Sequence, residues 1–206
     1  MKKTFILGLT GPTGAGKTTA CRVFGELGFF HIDCDRTARA VTEPGSPLLP
    51  LLAEAFGEDI LRPDGSLDRA KTASRAFASR EGTETLNRLS FPFITKRIEE
   101  EIAAASRTCG RILLDAPTLF ESGADRLCDR CVAVLAEREE RLRRICARDG
   151  LTAEQAATRI SAGKPDAFYR ARCDYIIRNS GSEADFLKNI RRTAEIILKE
   201  SKEGTP

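Results

Sequence analysis

Gly11-Pro12-Thr13-Gly14-Ala15-Gly16-Lys17-Thr18 constrains this chain more than any other stretch, because it follows directly on the apolar run Phe5-Ile6-Leu7-Gly8-Leu9. An apolar segment followed by Gly-x4-Gly-Lys-Thr predicts a strand, a glycine-rich turn and a helix in succession. That unit aims backbone N–H groups and the positive end of the helix dipole at one point, which suits a phosphate group. Lys17 adds a mobile charge for the β- and γ-phosphates, and Thr18 offers a hydroxyl to Mg²⁺. Gly11, Gly14, Ala15, Gly16, Lys17, Thr18 and Thr19 are therefore expected to form a nucleoside-triphosphate site.

The remaining pattern supports an α/β fold. Residues 18–27 read as the helix after the loop, with Gly28 as a left-handed cap. Residues 29–32 read as a second buried strand ending at Asp33-Cys34-Asp35, and residues 36–41 begin a helix stopped by Pro44-Gly45. Residues 48–56 form an amphipathic helix and Asp64-Gly65 a turn. Between residues 68 and 106, Leu86, Leu89, Phe93, Ile94, Ile98 and Ile102 recur at three- and four-residue spacing, so the whole stretch is expected to be helical. Residues 112–114, 132–135 and 175–177 are three further short apolar strands, and a last amphipathic helix carries Phe186, Ile190, Ile197 and Leu198. Alternating strands and helices predict a five-stranded parallel sheet with helices on both faces. The chain is expected to be one α/β domain over 1–206, with a helical insertion at about 60–107. Residues 201–206 are expected to fray.

Composition narrows the partners. With 33 basic against 30 acidic residues, the net charge is +3. That is too mild for the concentrated basic face of a dedicated nucleic-acid binder. The start, Met1-Lys2-Lys3 followed by a short apolar run, is too brief for a signal peptide, and no segment approaches the ~20 apolar residues that span a membrane. A cytoplasmic location follows as the expectation. The seven cysteines are odd in number and scattered, so free thiols packed as small hydrophobes are the simplest reading. Cys128-Asp129-Arg130-Cys131 is a lone CxxC without a second pair, which weakens a zinc or redox reading.

Three strand ends carry polar groups: the glycine loop, Asp33-Cys34-Asp35, and Asp115. In an open parallel sheet, ligands gather at these carboxyl ends. A kinase needs a carboxylate to orient the acceptor hydroxyl and take its proton, and Asp33 is the better placed candidate. Asp35 stands where an N-cap belongs, immediately before the helix at 36–41. Asp115 either meets Mg²⁺ or caps a turn. Arg138, Arg141, Arg143, Arg144 and Arg148 crowd one helix. They form either a solvated face paired with Glu137, Glu139 and Glu140, or a lid over the transferring phosphoryl group. Arg144 and Arg148 share a helix face and are the preferred pair, with Gly150 and Gly163 as hinges of a lid at about 137–165.

These segments, in this order, resemble the dephospho-CoA kinase family. The resemblance runs from Thr10-Gly11 through Lys17-Thr18-Thr19 to Ile32-Asp33-Cys34-Asp35 with Ala38-Arg39. It continues in Glu43-Pro44-Gly45-Ser46-Pro47-Leu48, Phe56-Gly57, Leu67-Asp68-Arg69 and Asp115-Ala116-Pro117-Thr118-Leu119-Phe120-Glu121. It closes with Arg144, Arg148, Asp174-Tyr175-Ile176-Ile177 and Asn179-Ser180-Gly181. The resemblance implies a P-loop kinase fold and ATP-dependent, Mg²⁺-assisted phosphorylation of the ribose 3′-hydroxyl of dephospho-CoA. It implies Asp33 as base, Lys17, Arg144 and Arg148 as phosphate ligands, and Asn179, Ser180 and Gly181 beside the adenine. Asp35 and Arg39, with the helical insertion, would hold the acceptor, and Thr18 and Asp115 the metal. Small molecules are then the partners of a monomer or weak homo-oligomer. The chain departs from the family pattern at Pro12-Thr13 in place of Gly-Ile, Phe91-Pro92 in place of His-Pro, Gly163 in place of glutamine, and Arg178 in place of an acidic residue.

Two other readings stay open at this level. A nucleoside monophosphate or sugar kinase has a similar architecture, although this chain offers carboxylates after its second strand where the former needs arginines. A nucleotide-dependent switch is the other, although no Asn-Lys-x-Asp guanine motif occurs.

Overall fold

The computed structural model describes residues 4–203. The chain divides into two compact units, one built from residues up to Ile32 and from Ala104 onward, the other from Asp33–Ala103. In order, the elements are β1 (Phe5–Thr10), α1 (Lys17–Glu26), β2 (Phe30–Asp33), α2 (Cys34–Ala40), α3 (Leu48–Phe56), α4 (Arg69–Ala76) and α5 (Arg80–Ala105). Then follow β3 (Arg111–Asp115), β4 (Arg130–Leu135), α6 (Arg138–Asp149), α7 (Ala153–Ser161), α8 (Asp166–Arg170), β5 (Tyr175–Arg178) and α9 (Glu183–Glu203). The tail expected to fray is thus helical as far as Glu203, and the rest of it, like Met1-Lys2-Lys3, lies outside the described residues.

The first unit is organised by a five-stranded, all-parallel sheet in the order β2-β3-β1-β4-β5. β1 pairs with β3 through Leu7↔Leu113 and with β4 through Leu9↔Val132, while β4 pairs with β5 through Val134↔Ile177. Parallel sheets need cover on both faces, and alternation along the strands supplies it. Leu7, Leu9, Leu113, Val132, Val134 and Ile177 meet Val23 and Phe24 of α1 and Phe186, Ile190 and Ile197 of α9 on one side. Each such side chain contributes about 1.5–3 kcal/mol by leaving water. Ala133 and Leu135 turn the other way, onto Tyr169 of α8. The expected fold is borne out.

One strand differs from expectation. β2 does not read as a buried strand: Phe30 is 46% exposed and His31 is exposed, with Ile32 alone fully buried. The cause is position, since β2 lies at the sheet edge with one neighbour. α6 and α7 pack through Ile145, Ala156 and Ile160. Gly150, at φ +66°, ends α6, and a reciprocal Thr152–Gln155 capping box starts α7. Gly163, the other expected hinge, is not among the glycines with positive φ.

In the second unit, Leu48, Leu49 and Leu52 of α3 pack with Ile60, Leu67, Leu86, Leu89 and Phe93. The helical stretch expected over 68–106 is two helices, with a break at residues 77–79. Asp68 caps the first of them by accepting from the Lys71 N–H. α5 continues through Pro92, whose missing N–H leaves the turn before it one bond short. Asp59 accepts two bonds from Arg75, at 2.6 and 2.8 Å, and one from Lys71 at 3.3 Å. Hydrogen bonding by Arg75 holds the Asp59 carboxyl well below its ordinary value. No helix among the described residues is long and apolar enough to cross a membrane.

Candidate active site

The glycine loop leaves the carboxyl end of β1, the strand at which the chain's sheet order reverses, with β3 on one side and β4 on the other. Ligand crevices form at such switch points. At Gly11 and Gly16 the loop approaches its neighbours too closely for a side chain. Gly11 has φ +138°, and a Cβ there would lie 2.3 Å from the Val134 carbonyl oxygen. Gly16 has φ +107°, and a Cβ there would lie 2.4 Å from Nδ2 of Asn179.

Three successive loop carbonyls are each held by a side chain from elsewhere in the chain. Arg141 Nε donates to the Thr13 carbonyl at 2.9 Å. Arg144 Nη1 donates to that of Gly14 at 3.4 Å. Asn179 Nδ2 donates to that of Ala15 at 2.8 Å. In a trans peptide the C=O and the following N–H point in opposite directions. Holding the carbonyls of Thr13 and Ala15 therefore turns the N–H groups of Gly14 and Gly16 the other way. α1 begins immediately afterwards at Lys17, adding the N–H groups of its first turn. Lys17 Nζ donates to the Gly11 carbonyl at 2.8 Å, which brings the ammonium back over the loop. Thr18 is exposed at the helix start, and the Thr19 N–H bonds to the Gly16 carbonyl.

Arg141 is the participant that sequence reasoning set aside in favour of its neighbours. Its side chain is only 7% exposed, and Asp166 is its nearest carboxylate, at 3.9 Å. Burial draws its guanidinium below the ordinary value, against the opposing charge of Asp166. Nη2 is buried and makes no hydrogen bond. The available signal was spacing, because Arg141 lies one turn before Arg144 and two turns before Arg148 on the same face of α6. Arg144 also donates from Nη2 to Oδ1 of Asn179 at 3.2 Å, so α6, the loop and the β5 terminus meet at one buried amide. Arg148 faces another partner. Its Nε and Nη2 donate to both oxygens of Asp149 at 2.7 and 2.8 Å, and Arg159 of α7 completes the group. Ser180 and Gly181 follow Asn179 as exposed residues, Gly181 at φ +80°.

Asp115 ends β3. Its Oδ2 accepts from the Cys21 thiol at 3.2 Å and lies 3.5 Å from His31 Nε2, whereas Oδ1 is buried without a partner. A buried carboxylate oxygen with no donor, on a strand next to the glycine loop, fits a hard cation such as Mg²⁺. Cys21 stands one turn beyond Thr18 on α1, so the contact to Asp115 brings that turn of the helix beside β3.

Asp33 ends β2 and is the N-cap of α2, the role expected of Asp35. Its Oδ1 accepts the N–H groups of Asp35 at 2.9 Å and Arg36 at 3.1 Å. The correction has a local cause: α2 begins two residues earlier than its apolar pattern suggests, so the cap moves back with it. Oδ2 of Asp33 makes no hydrogen bond among the described residues. Asp35 occupies the first turn of α2, and Arg39 the last. The Arg39 carbonyl accepts from Arg69 at 3.0 Å, which ties α2 to the start of α4.

Comparison with known proteins shows a family and a fold. The family model described as CoaE: Dephospho-CoA kinase matches residues 5–185. A dephospho-CoA kinase of Corynebacterium diphtheriae is 42% identical over 188 residues, covering 91% of this chain and 94% of that protein. A Thermus thermophilus protein of known structure superposes with a TM-score of 0.80 at 29% identity, covering 97% of this chain and 98% of the other. The dephospho-CoA kinase of Campylobacter jejuni shares the fold with a TM-score of 0.62 at 22% identity, covering 94% and 97% of the two chains.

Proposed function

The chain belongs to the dephospho-CoA kinase family, and from that premise we propose how its residues carry out the ATP-dependent phosphorylation that completes coenzyme A synthesis. The activity is a phosphoryl transfer from ATP to dephospho-CoA, with the ribose 3′-hydroxyl as acceptor. The observation that carries the assignment of roles is the set of loop carbonyls held by Arg141, Arg144 and Asn179. A loop held in this way presents its N–H groups before a ligand arrives, so little reorganisation is needed as charge builds up in transfer.

ATP lies with its phosphates on Gly11, Gly14, Ala15, Gly16, Lys17, Thr18 and Thr19, and its adenine beside Asn179, Ser180 and Gly181. Lys17, Arg144 and Arg148 neutralise charge on the transferring group. Arg148 must exchange Asp149 for phosphate to do so, which fits closure of a lid over about 137–165. Thr18 and Asp115 would hold Mg²⁺, which would supply positive charge to offset that of the phosphates.

Asp33 takes the proton of the acceptor hydroxyl as the new O–P bond forms and the bond to the leaving ADP breaks. Its Oδ1 is fixed by two backbone N–H groups, which leaves Oδ2 to receive the proton. Asp35, Arg39 and the insertion at about 60–107 hold the acceptor, within a single kinase domain over 1–206. The enzyme works in the cytoplasm on small molecules, as a monomer or weak homo-oligomer, and the modest net charge of +3 supports small-molecule partners.

The test is ATP consumption by the full chain with and without dephospho-CoA, with the product identified. Acceleration by dephospho-CoA and a 3′-phosphorylated product support the reading. ATP turnover indifferent to dephospho-CoA overturns it.

A further inference from the structure

Beside the phosphate loop, three side chains of different elements converge: Cys21 from α1, His31 from β2 and Asp115 from β3. One ligand atom from each lies within 4.8 Å of the other two, and this is the one such group among the described residues. Cys21 Sγ is 3.2 Å and His31 Nε2 3.5 Å from the same oxygen of Asp115. Zinc binds oxygen and nitrogen at about 2.0–2.1 Å and sulfur at about 2.3 Å, so tetrahedral angles put its ligand atoms about 3.3–3.6 Å apart. The observed separations straddle that range, so small side-chain adjustments suffice. We propose that Cys21, His31 and Asp115 form a binding site for a zinc-class divalent cation, with a fourth position open to water or an anion.

The donor set selects the metal. Thiolate and imidazole favour Zn²⁺ over Mg²⁺ or Ca²⁺, which prefer all-oxygen shells. Charge balance favours it as well. Cys21 loses its thiol proton to solvent on binding, His31 stays neutral, and thiolate plus carboxylate cancel the dication. A neutral cluster is cheap to bury, and Cys21 is only 7% exposed. Entry is open from the β2 side, where the His31 side chain is 39% exposed. The partnerless Oδ1 of Asp115 gives the same carboxylate a second oxygen for the cation. The CxxC pair, Cys128 and Cys131, belongs to no such group among the described residues.

The site does not depend on the proposed role of Asp115 toward Mg²⁺, and the experiment separates the two. The full chain, reduced and free of nucleotide, is titrated with Co²⁺ and then with competing Zn²⁺. One equivalent of Co²⁺ is expected to give a thiolate-to-metal charge-transfer band with tetrahedral d–d bands, which Zn²⁺ abolishes. Cys21→Ser should remove the charge-transfer band. His31→Val places a strand-forming residue at a solvent-facing edge position, so it keeps the fold. It should weaken binding by more than the ~100-fold that loss of an outer-shell partner costs. The double variant Cys128→Ser/Cys131→Ser should bind as the parent does. Absence of the band in the parent, its survival in Cys21→Ser, unchanged affinity in His31→Val, or its loss in the double variant each overturns the proposal. Zn²⁺ binding without inhibition of turnover leaves the site standing and counts against Asp115 as a Mg²⁺ ligand.

Discussion

Asn179→Asp exchanges one atom for another of the same size at the point where the loop, α6 and β5 meet. In the parent, Nδ2 donates to the Ala15 carbonyl at 2.8 Å and Oδ1 accepts from Arg144 at 3.2 Å, in a residue 6% exposed. The amide has one workable orientation, because a carbonyl can only accept and a guanidinium can only donate. The introduced carboxylate keeps the arginine and loses the donor, so two acceptors face each other across the Ala15 contact. An orphaned buried acceptor costs about 1–3 kcal/mol, and an ion pair with the partly exposed Arg144 recovers at most about 1 kcal/mol. The net loss of about 1–2 kcal/mol corresponds to a fall in Tm of about 2–8 °C for a chain of this size.

The direction with pH is the sharper test. Burial against a carbonyl raises the folded-state pKa of the introduced carboxyl above its unfolded value near 4. The penalty is therefore complete at high pH and fades as pH falls through the folded value, where the protonated group donates to Ala15. Thermal melts at pH 8 and pH 5 should show the gap to the parent narrowing for Asn179→Asp. For Asn179→Ala, which loses both bonds, the gap should stay wide at both. A gap that does not change with pH, or a variant as stable as the parent at pH 8, would refute the assigned hydrogen-bond directions.

Three further outcomes are expected. Asp33→Asn should keep α2, since Asn caps as well as Asp. It should retain ATP binding and lose about 10²–10⁴-fold in kcat; near-normal turnover removes Asp33 as the base. Arg144→Ala should reduce kcat/KM at least ~10-fold more than Arg148→Ala, a difference of about 1.4 kcal/mol, because Arg144 also supports the loop; equal losses would contradict this. In the 33–103 unit, Asp59 is held below its ordinary value chiefly by Arg75, so its contribution is present at neutral pH and lost as pH falls below the unfolded value of 3.8 towards the folded one. Urea midpoints of Asp59→Asn should therefore be lower than the parent's at pH 7, with the gap beginning to shrink only as pH falls below about 4; a gap that stays constant below pH 4 would exclude the pair as an acid-sensitive tie.

Much of the molecule was legible locally. Strand and helix order, the glycine loop and the Gly28 cap follow from periodicity and turn chemistry, which act over a few residues. The α2 boundary was misplaced because Cys34 and Asp35 carry no apolar periodicity, and the start of that helix is set by the Asp33 cap. β2 passed for a buried strand because an apolar run does not reveal whether it has one neighbour or two.

By itself the sequence indicated a triphosphate-binding loop and determined the α/β class and, through the ordered family segments, the reaction. Tertiary structure decided the rest: the strand order, the edge position of β2, the meeting of Cys21, His31 and Asp115, and the loop's supports. Arg141 and Thr13 are 128 positions apart, Asn179 and Ala15 164. No local pattern encodes such pairs. They exist because the folded chain brings Arg141, Arg144 and Asn179 against the loop carbonyls, and only the packed chain shows which side chain reaches which.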